Sequence, residues 1–355
     1  MSAQREHPTR RELLGSAAGV ALGALSFPIT GRGAATQPAA AGPPSHVALT
    51  AGGNRADNVT HALRLIEKQV RKGLERAKRV IVKPNVVVVN RQLTATHADC
   101  LEAIVSFLTT LRKDEIIITD SPASGRAEEG YANYGYTRLV GHYNVKFLDL
   151  DEEPTVTRYV MDQNLRPHAV RLARILLDPE TYVVSAAVMK THDRAVVTLS
   201  LKNIVLGAAQ KDRTYHWGPG SKGTNDKWLV HGGPNNEAIH YNIFQLAREL
   251  RPDLAVIDGF QAMEGNGPIV GTPVDHKVAL ASTDWLAADR VGVELMGFDF
   301  ARVGYLSFCA QTGTMGQADL SRIEVLGGRI ADHTRRYRPH DNIEQQYKWM
   351  SRTAG

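Results

Sequence analysis

Lys190, Thr191, His192 and Asp193 close an apolar run that starts at Tyr182, "YVVSAAVMKTHD". A buried strand ending in an amine, a hydroxyl, an imidazole and a carboxylate offers groups for anion contact, proton transfer or metal ligation. Four other strand-like runs end in polar residues: Lys83-Pro84-Asn85, Asp120-Ser121-Pro122, Asp258-Gly259 and Thr283-Asp284. Lysines are seldom buried without a partner, so Lys83 and Lys190 are expected to face carboxylates or a ligand anion. Strand alternation puts Lys190 and His192 on one side, and Lys83 and Asn85 likewise. Five such endings suggest a shared site, because ligands of open parallel sheets bind beyond the carboxyl ends of the strands.

Two neighbouring segments extend this set. "VVTLSLKNIVLGA" is read as a helical turn with Thr198 and Lys202 four residues apart on one face and Asn203 beside them. The early N–H groups of that helix, together with Lys202, would suit an anion. In "DGFQAMEGNGPIVG", Asp258 and Glu264 are joined by a short loop, and Gly265, Gly267 and Pro268 impose a tight turn. Glycine lets backbone approach a ligand, and the two acids, with His192, are candidate ligands for a divalent metal. The segment is neither a phosphate-binding P-loop nor a dinucleotide fingerprint, and a Gly-x-Ser-x-Gly elbow is absent.

The elements that must position these residues alternate. "RADNVTHALRLIEKQVRKGLERAK" is expected to be one helix, with Val59, Ala62, Leu63, Ile66 and Val70 on its apolar face. "RVIVKPNVVVV" is a strand that Pro84 ends or bends near Lys83. Helix then follows at "HADCLEAIVSFLTTLRK", strand at "EIIITD", a weak helix at "YANYGYTRLVGHY", and strands at "VKFLDLD" and "TYVVSAAVMKTH". Further on come a helix at "NNEAIHYNIFQLARELRP", strands at "LAVIDGF" and "HKVALASTD", a helix at "WLAADRVGVELMG" and a strand at "SRIEVLGGRI". Apolar strands interleaved with amphipathic helices imply an α/β fold: a mostly parallel sheet flanked by helices on both faces, a Rossmann-like three-layer core. Residues 44–355 are expected to form one domain, with 211–234 as an irregular insertion able to serve as a lid.

Composition sets the bounds. The chain has 355 residues, 43% apolar and 22% charged, with a formal net charge of +5. That charge is too diffuse for a nucleic-acid partner. Two cysteines, Cys100 and Cys309, are too few for an iron–sulfur cluster or a zinc ribbon, and each reads as a buried free thiol. None of the thirteen histidines forms a His-Glu-x-x-His ligand pair. At the N-terminus, "TRRELLG" precedes a mildly apolar run and a Pro/Ala-rich exit. This is the pattern of a twin-arginine export signal over residues 1–43, too short and interrupted to span a membrane.

The ordered set "VKPNVV", "TDSP", "MKTH", "TLSLKNIVLG", "IDGFQAMEGNGPIVG" and "ASTDWLAADRVGVELMG" resembles domain-of-unknown-function family 362 over roughly residues 78 to 310. The resemblance implies recurring polar positions at Lys83, Asn85, Asp120, Ser121, Lys190, His192, Thr198, Lys202, Asn203, Asp258, Glu264, Asp284 and Asp289. It implies no activity, and the two cysteines here are too few to carry the iron–sulfur segments that accompany some members. The expectation is an exported enzyme acting on a small anionic substrate, a carboxylate or phosphate, with or without a divalent metal. Lys190, His192, Lys83 and Asp120 would act as catalytic residues, and Asn85, Ser121, Thr198, Lys202, Asn203, Gly265 and Gly267 would contact substrate. The alternative is a periplasmic metal- or anion-binding protein without turnover. In either case the location is periplasmic or extracellular after signal cleavage, with the twin-arginine export machinery as a transient partner.

Overall fold

The sheet that organises the protein is read here from a computed structural model, which describes residues 44–233 and 237–352. Residues 1–43, read in the sequence as an export signal, lie outside them. The strands are β1 (Ser45–Ala51), β2 (Arg79–Pro84), β3 (Ile116–Asp120), β4 (Val145–Asp149), β5 (Thr155–Met161), β6 (Pro167–Ala173), β7 (Thr181–His192), β8 (Val196–Thr198), β9 (Leu254–Glu264), β10 (Thr272–Ser282) and β11 (Ile323–Gly327). The helices are α1 (Arg55–Leu65), α2 (Glu67–Leu74), α3 (Ala98–Leu111), α4 (Ala127–Asn133), α5 (Ser200–Ala208), α6 (Asp226–Val230), α7 (Glu237–Ala247), α8 (Trp285–Leu295), α9 (Gly304–Gln311), α10 (Ile330–His333) and α11 (Ile343–Gln346).

Among the described residues, nine strands form one sheet in the order β11-β1-β10-β9-β7-β2-β3-β4, with β8 folded back on β7. The pairs β9-β7, β7-β2, β2-β3 and β3-β4 are parallel, as is β1-β11. The pairs β1-β10, β10-β9 and β7-β8 are antiparallel. Successive residues of a strand feed opposite faces. Val80, Val82, Tyr182 and Val184 join the core under α1–α4, whereas Ile81, Val183 and Ala187 join the core under α5 and α7–α9. The result is a mixed, mostly parallel three-layer α/β fold. No helix among the described residues is long and apolar enough to cross a membrane.

Several elements differ from expectation for local reasons. The long first helix is two, α1 and α2, separated at Ile66, where the backbone leaves helical angles (φ −117°, ψ 16°). β1 and the β5–β6 hairpin were not expected: the hairpin alternates only weakly and has its own two-stranded sheet. Thr198 is not helical; it ends β8 opposite Lys190, and α5 starts only after Leu199. β9 runs through Asp258 to Glu264, so Asp258 is not at a strand end. β10 is antiparallel, so Thr283 and Asp284 emerge at the opposite edge of the sheet, beside Tyr182 and Pro252.

Candidate functional site

The C-terminal edges of the parallel strands β2, β3 and β7 open onto a cavity of about 230 Å³. Lys83, Asn85, Asp120, Ser121, His192, Thr198, Lys202 and Asn203 line it. Val86, Val87, Leu206, Pro268 and Ile269 supply apolar wall.

Lys83 and Asp120 form the floor, and both are almost fully buried. The Lys83 Nζ lies 2.5 Å from Asp120 Oδ1 and donates to Asn203 Oδ1 and Pro84 O, each at 3.0 Å. Its three protons are therefore all engaged. Asp120 also accepts the backbone N–H groups of Val86 (2.6 Å) and Ser121 (2.8 Å). Asn203 returns its amide to Lys83 O and Ser185 Oγ. This floor is a closed polar network, and burial still pulls the Lys83 ammonium below its usual range, against the opposing charge of Asp120. Helix α5 passes close above it because residue 207 is glycine: a Cβ there would stand 1.8 Å from Lys83 Cε.

Above the floor the bonding is sparser. Every residue of α5 is buried, including Lys202, whose Nζ lies 2.9 Å from His192 Nε2. Burial brings the Lys202 ammonium down to about 7. The His192 Nδ1 accepts the backbone N–H groups of Arg194 (3.0 Å) and Ala195 (3.3 Å). Asp193 Oδ1 also lies 3.0 Å from Nδ1, on a side chain 44% exposed. The ring cannot satisfy both sets. The backbone donors are fixed by the β7–β8 turn and the carboxylate can turn to water, so we assign Nδ1 as the acceptor and the ring proton to Nε2. Burial, then the charge of Lys202, hold His192 well below its usual pKa, in keeping with a neutral ring. Two lining atoms, Asn85 Oδ1 and Thr198 Oγ1, are buried without any hydrogen-bond partner. Buried polar atoms are rarely left so, and each such exception calls for an explanation.

The remaining wall comes from the irregular segment that the sequence marked as an insertion able to serve as a lid. It contributes Trp217, Lys227, Trp228 and His231, with Arg194 stacked over Trp228 at 4.7 Å. Arg171 on β6 anchors the segment through Asp212 (2.6 Å) and Asp226 (3.0 Å). Lys227 donates to Leu206 O and Ala209 O at the C-terminal end of α5, where a cation is favourable. Burial lowers it to about 8. His231 donates Nδ1–H to Lys227 O at 2.6 Å and stacks on His192. Its Nε2 is left with the lone pair, and burial takes its pKa down to about 3.

Other expected residues lie elsewhere. Lys190 is fully buried, but its Nζ donates to Thr94 O (2.8 Å) behind the lining. Asp258 and Glu264 are not brought together as a metal pair. Asp258 Oδ2 sits 3.0 Å from Arg55 Nε, and Glu264 accepts the Arg338 backbone N–H at 3.0 Å. Gly265 and Gly267 pack against β7 rather than the cavity: Thr191 Oγ1 donates to Gly265 O, and a Cβ at 267 would meet Thr191 O at 2.2 Å. The carboxyl group at the N-terminus of α5 is that of Asp289, which accepts from Ser200 N (2.8 Å), Ser200 Oγ and Leu201 N, and burial raises it to about 7. Asp284 caps α8. Among the described residues, three carboxylates at Glu128, Asp149 and Glu152 come within mutual ligating distance at the C-terminal end of β4, where Asp149 is in register with Asp120.

The fold and cavity thus define a three-layer α/β protein with a cationic, partly apolar pocket at its strand ends. The chain belongs to the family described as "Domain of unknown function (DUF362)", whose profile matches residues 80–294. It is 26% identical over 227 residues to a thylakoid-associated protein of Synechocystis, covering 63% of this chain and 65% of that one, so it spans a little under two thirds of that relative. Among solved structures it is similar to the lactate racemase apoprotein of Thermoanaerobacterium thermosaccharolyticum (14% identity, TM-score 0.40, 70% of this chain and 56% of that one). It is also similar to a Thermotoga maritima protein (13% identity, TM-score 0.39, 62% and 54%).

Proposed function

We propose that this chain is an exported enzyme that binds a small carboxylate or phosphate in the strand-end cavity and transfers a proton with Lys202 and His192. The observation that carries this reading is the 2.9 Å contact between Lys202 Nζ and His192 Nε2 within the cavity lining. A lysine and an imidazole that share one proton near neutrality can serve as acid and base in turn. Lys227 and Arg194 add positive charge to the wall, and the unpartnered Thr198 hydroxyl can donate to an anion, whereas Asn85 Oδ1 accepts only from a donor such as a phosphate hydroxyl. Asp258 and Glu264 are each committed to an arginine and take no part.

The test is ligand-dependent thermal unfolding with inorganic phosphate, acetate, propionate and pyruvate. A ligand at about 100 times its Kd stabilises by about 2.7 kcal/mol, and Lys202→Met should abolish the shift. Stabilisation that survives unchanged in Lys202→Met would reject the site. Binding lost in Lys202→Met but with no chemistry on any bound anion would favour a binding protein without turnover. Export is tested by Arg10→Lys with Arg11→Lys, which should leave the precursor uncleaved in the cytoplasm; normal export of that variant rules out the twin-arginine route.

A further inference from the structure

We propose that Lys202 is a nucleophilic amine that condenses with the carbonyl of a small oxo acid to form an imine in the cavity, an inference that rests on the anion-binding reading above and names the class of anion. The argument is a comparison of buried lysines. Lys83 has an acceptor for each of its three protons. Lys211 is paired with Asp151, Lys227 with two carbonyls, and Lys190 with a carbonyl behind the lining. Lys202 lines the cavity, and its hydrogen-bond contact is one imidazole nitrogen.

That nitrogen is the wrong partner for an ammonium. With Nδ1 accepting two backbone N–H groups, a neutral His192 carries its proton on Nε2 and points it at Nζ. Only an amine with a lone pair can accept it, so the contact selects neutral Lys202. Burial pulls Lys202 in the same direction, to about 7. A desolvated lysine near other cations is the arrangement that activates an amine for carbonyl chemistry.

The step balances without a redox partner. The Nζ lone pair forms a bond to the carbonyl carbon, and the C=O π pair moves onto oxygen. His192 gives its Nε2 proton to that oxygen and takes one from the new ammonium nitrogen, leaving a carbinolamine. The hydroxyl then departs with the remaining N–H proton as water, and the nitrogen lone pair closes C=N. The carboxylate of the oxo acid would meet the charge of Arg194 and Lys227, and its short carbon body would meet Val86, Leu206 and Trp228.

The experiment treats the purified full chain with pyruvate or glyoxylate, reduces with cyanoborohydride, and maps adducts by peptide mass spectrometry. Calorimetry follows binding of pyruvate and of propionate, which keeps the carboxylate and lacks the keto group. The expected result is a reduced adduct on Lys202 at near-neutral pH, about tenfold or more above exposed lysines such as Lys68 and Lys146, since each pKa unit is a tenfold change in the balance of protonation states. Lys202→Met and Lys202→Arg should both lack it; methionine keeps the length of the stem without burying a charge. Binding of pyruvate and propionate with no Lys202 adduct overturns the imine and leaves the anion site standing. Absence of both binding and adduct overturns the two together, and an adduct spread evenly over surface lysines overturns the imine.

Discussion

The two halves of the sheet treat their charged residues differently. In the parallel half, β2, β3 and β7 point the same way and deliver Lys83, Asp120 and His192 to one edge, where they line a common cavity. In the other half, β9 runs parallel to β7 but continues past Asp258 to Glu264, and β10 reverses direction. Asp258, Glu264 and Asp284 are distributed, and each is met locally by Arg55, by the Arg338 backbone or by the first turn of α8. Parallel pairing gathers strand ends, whereas antiparallel pairing separates them. A polar residue after an apolar run signals a shared site only where the strand ends there and its direction matches its neighbours.

Substitutions can break that contrast. The largest expected effect is on the buried pairs. Asp120→Ala strands the Lys83 ammonium and two backbone donors and should cost about 3–5 kcal/mol in denaturant unfolding, with loss of the anion-dependent shift. Asp258→Ala should be destabilising through Arg55, yet keep that shift; loss of the shift there would erase the distinction between the halves.

The next effect is on pH dependence. Burial holds His231 and His240 at about 3 in the fold, against 6.5 when free. The unfolded chain binds more protons between those values, so stability should fall as pH drops from about 6.5 toward 3. Thermal melts of His231→Gln should show a shallower acid slope. Lys202 at about 7, against 10.5 unfolded, gives stability that rises with pH across that interval, and Lys202→Met should flatten it. An unchanged slope would mean Lys202 stays charged in the fold.

The smallest effects on stability discriminate most cleanly. Thr198→Val removes an unpartnered hydroxyl and should alter stability by no more than about 1 kcal/mol while weakening anion binding measured by calorimetry. Glu264→Gln should cost less than about 1 kcal/mol and leave binding intact.

Much of the parallel half was legible in the sequence. The apolar run of β7 and its abrupt end at His192 match the strand, because burial on both faces demands an unbroken apolar stretch. Lys83, Asp120 and His192 were read from strand ends, and Lys202 and Asn203 from the helix that follows; all five line one cavity. What was hidden depends on tertiary direction and reach. Nothing in "HKVALASTD" tells which way β10 runs. Thr198 and Lys202 do have helical spacing, but the tight β7–β8 turn, with Val196 at φ 66°, holds Thr198 in a strand. Lys190 looked equivalent to His192 by alternation, yet a long flexible stem let its amine reach Thr94 O instead. Lys227 and His231 lie in a segment without periodicity, so their place in the wall depends on Arg171, a residue far away in sequence.

The bare backbone at position 207 has an evolutionary corollary. A single methyl group there would collide with the end of the Lys83 side chain, so either that ammonium must leave Asp120 or the helix carrying Lys202, five residues earlier, must lift. Ordinary drift from glycine to alanine, harmless in most helices, would here behave as a wedge driven between two layers of the molecule.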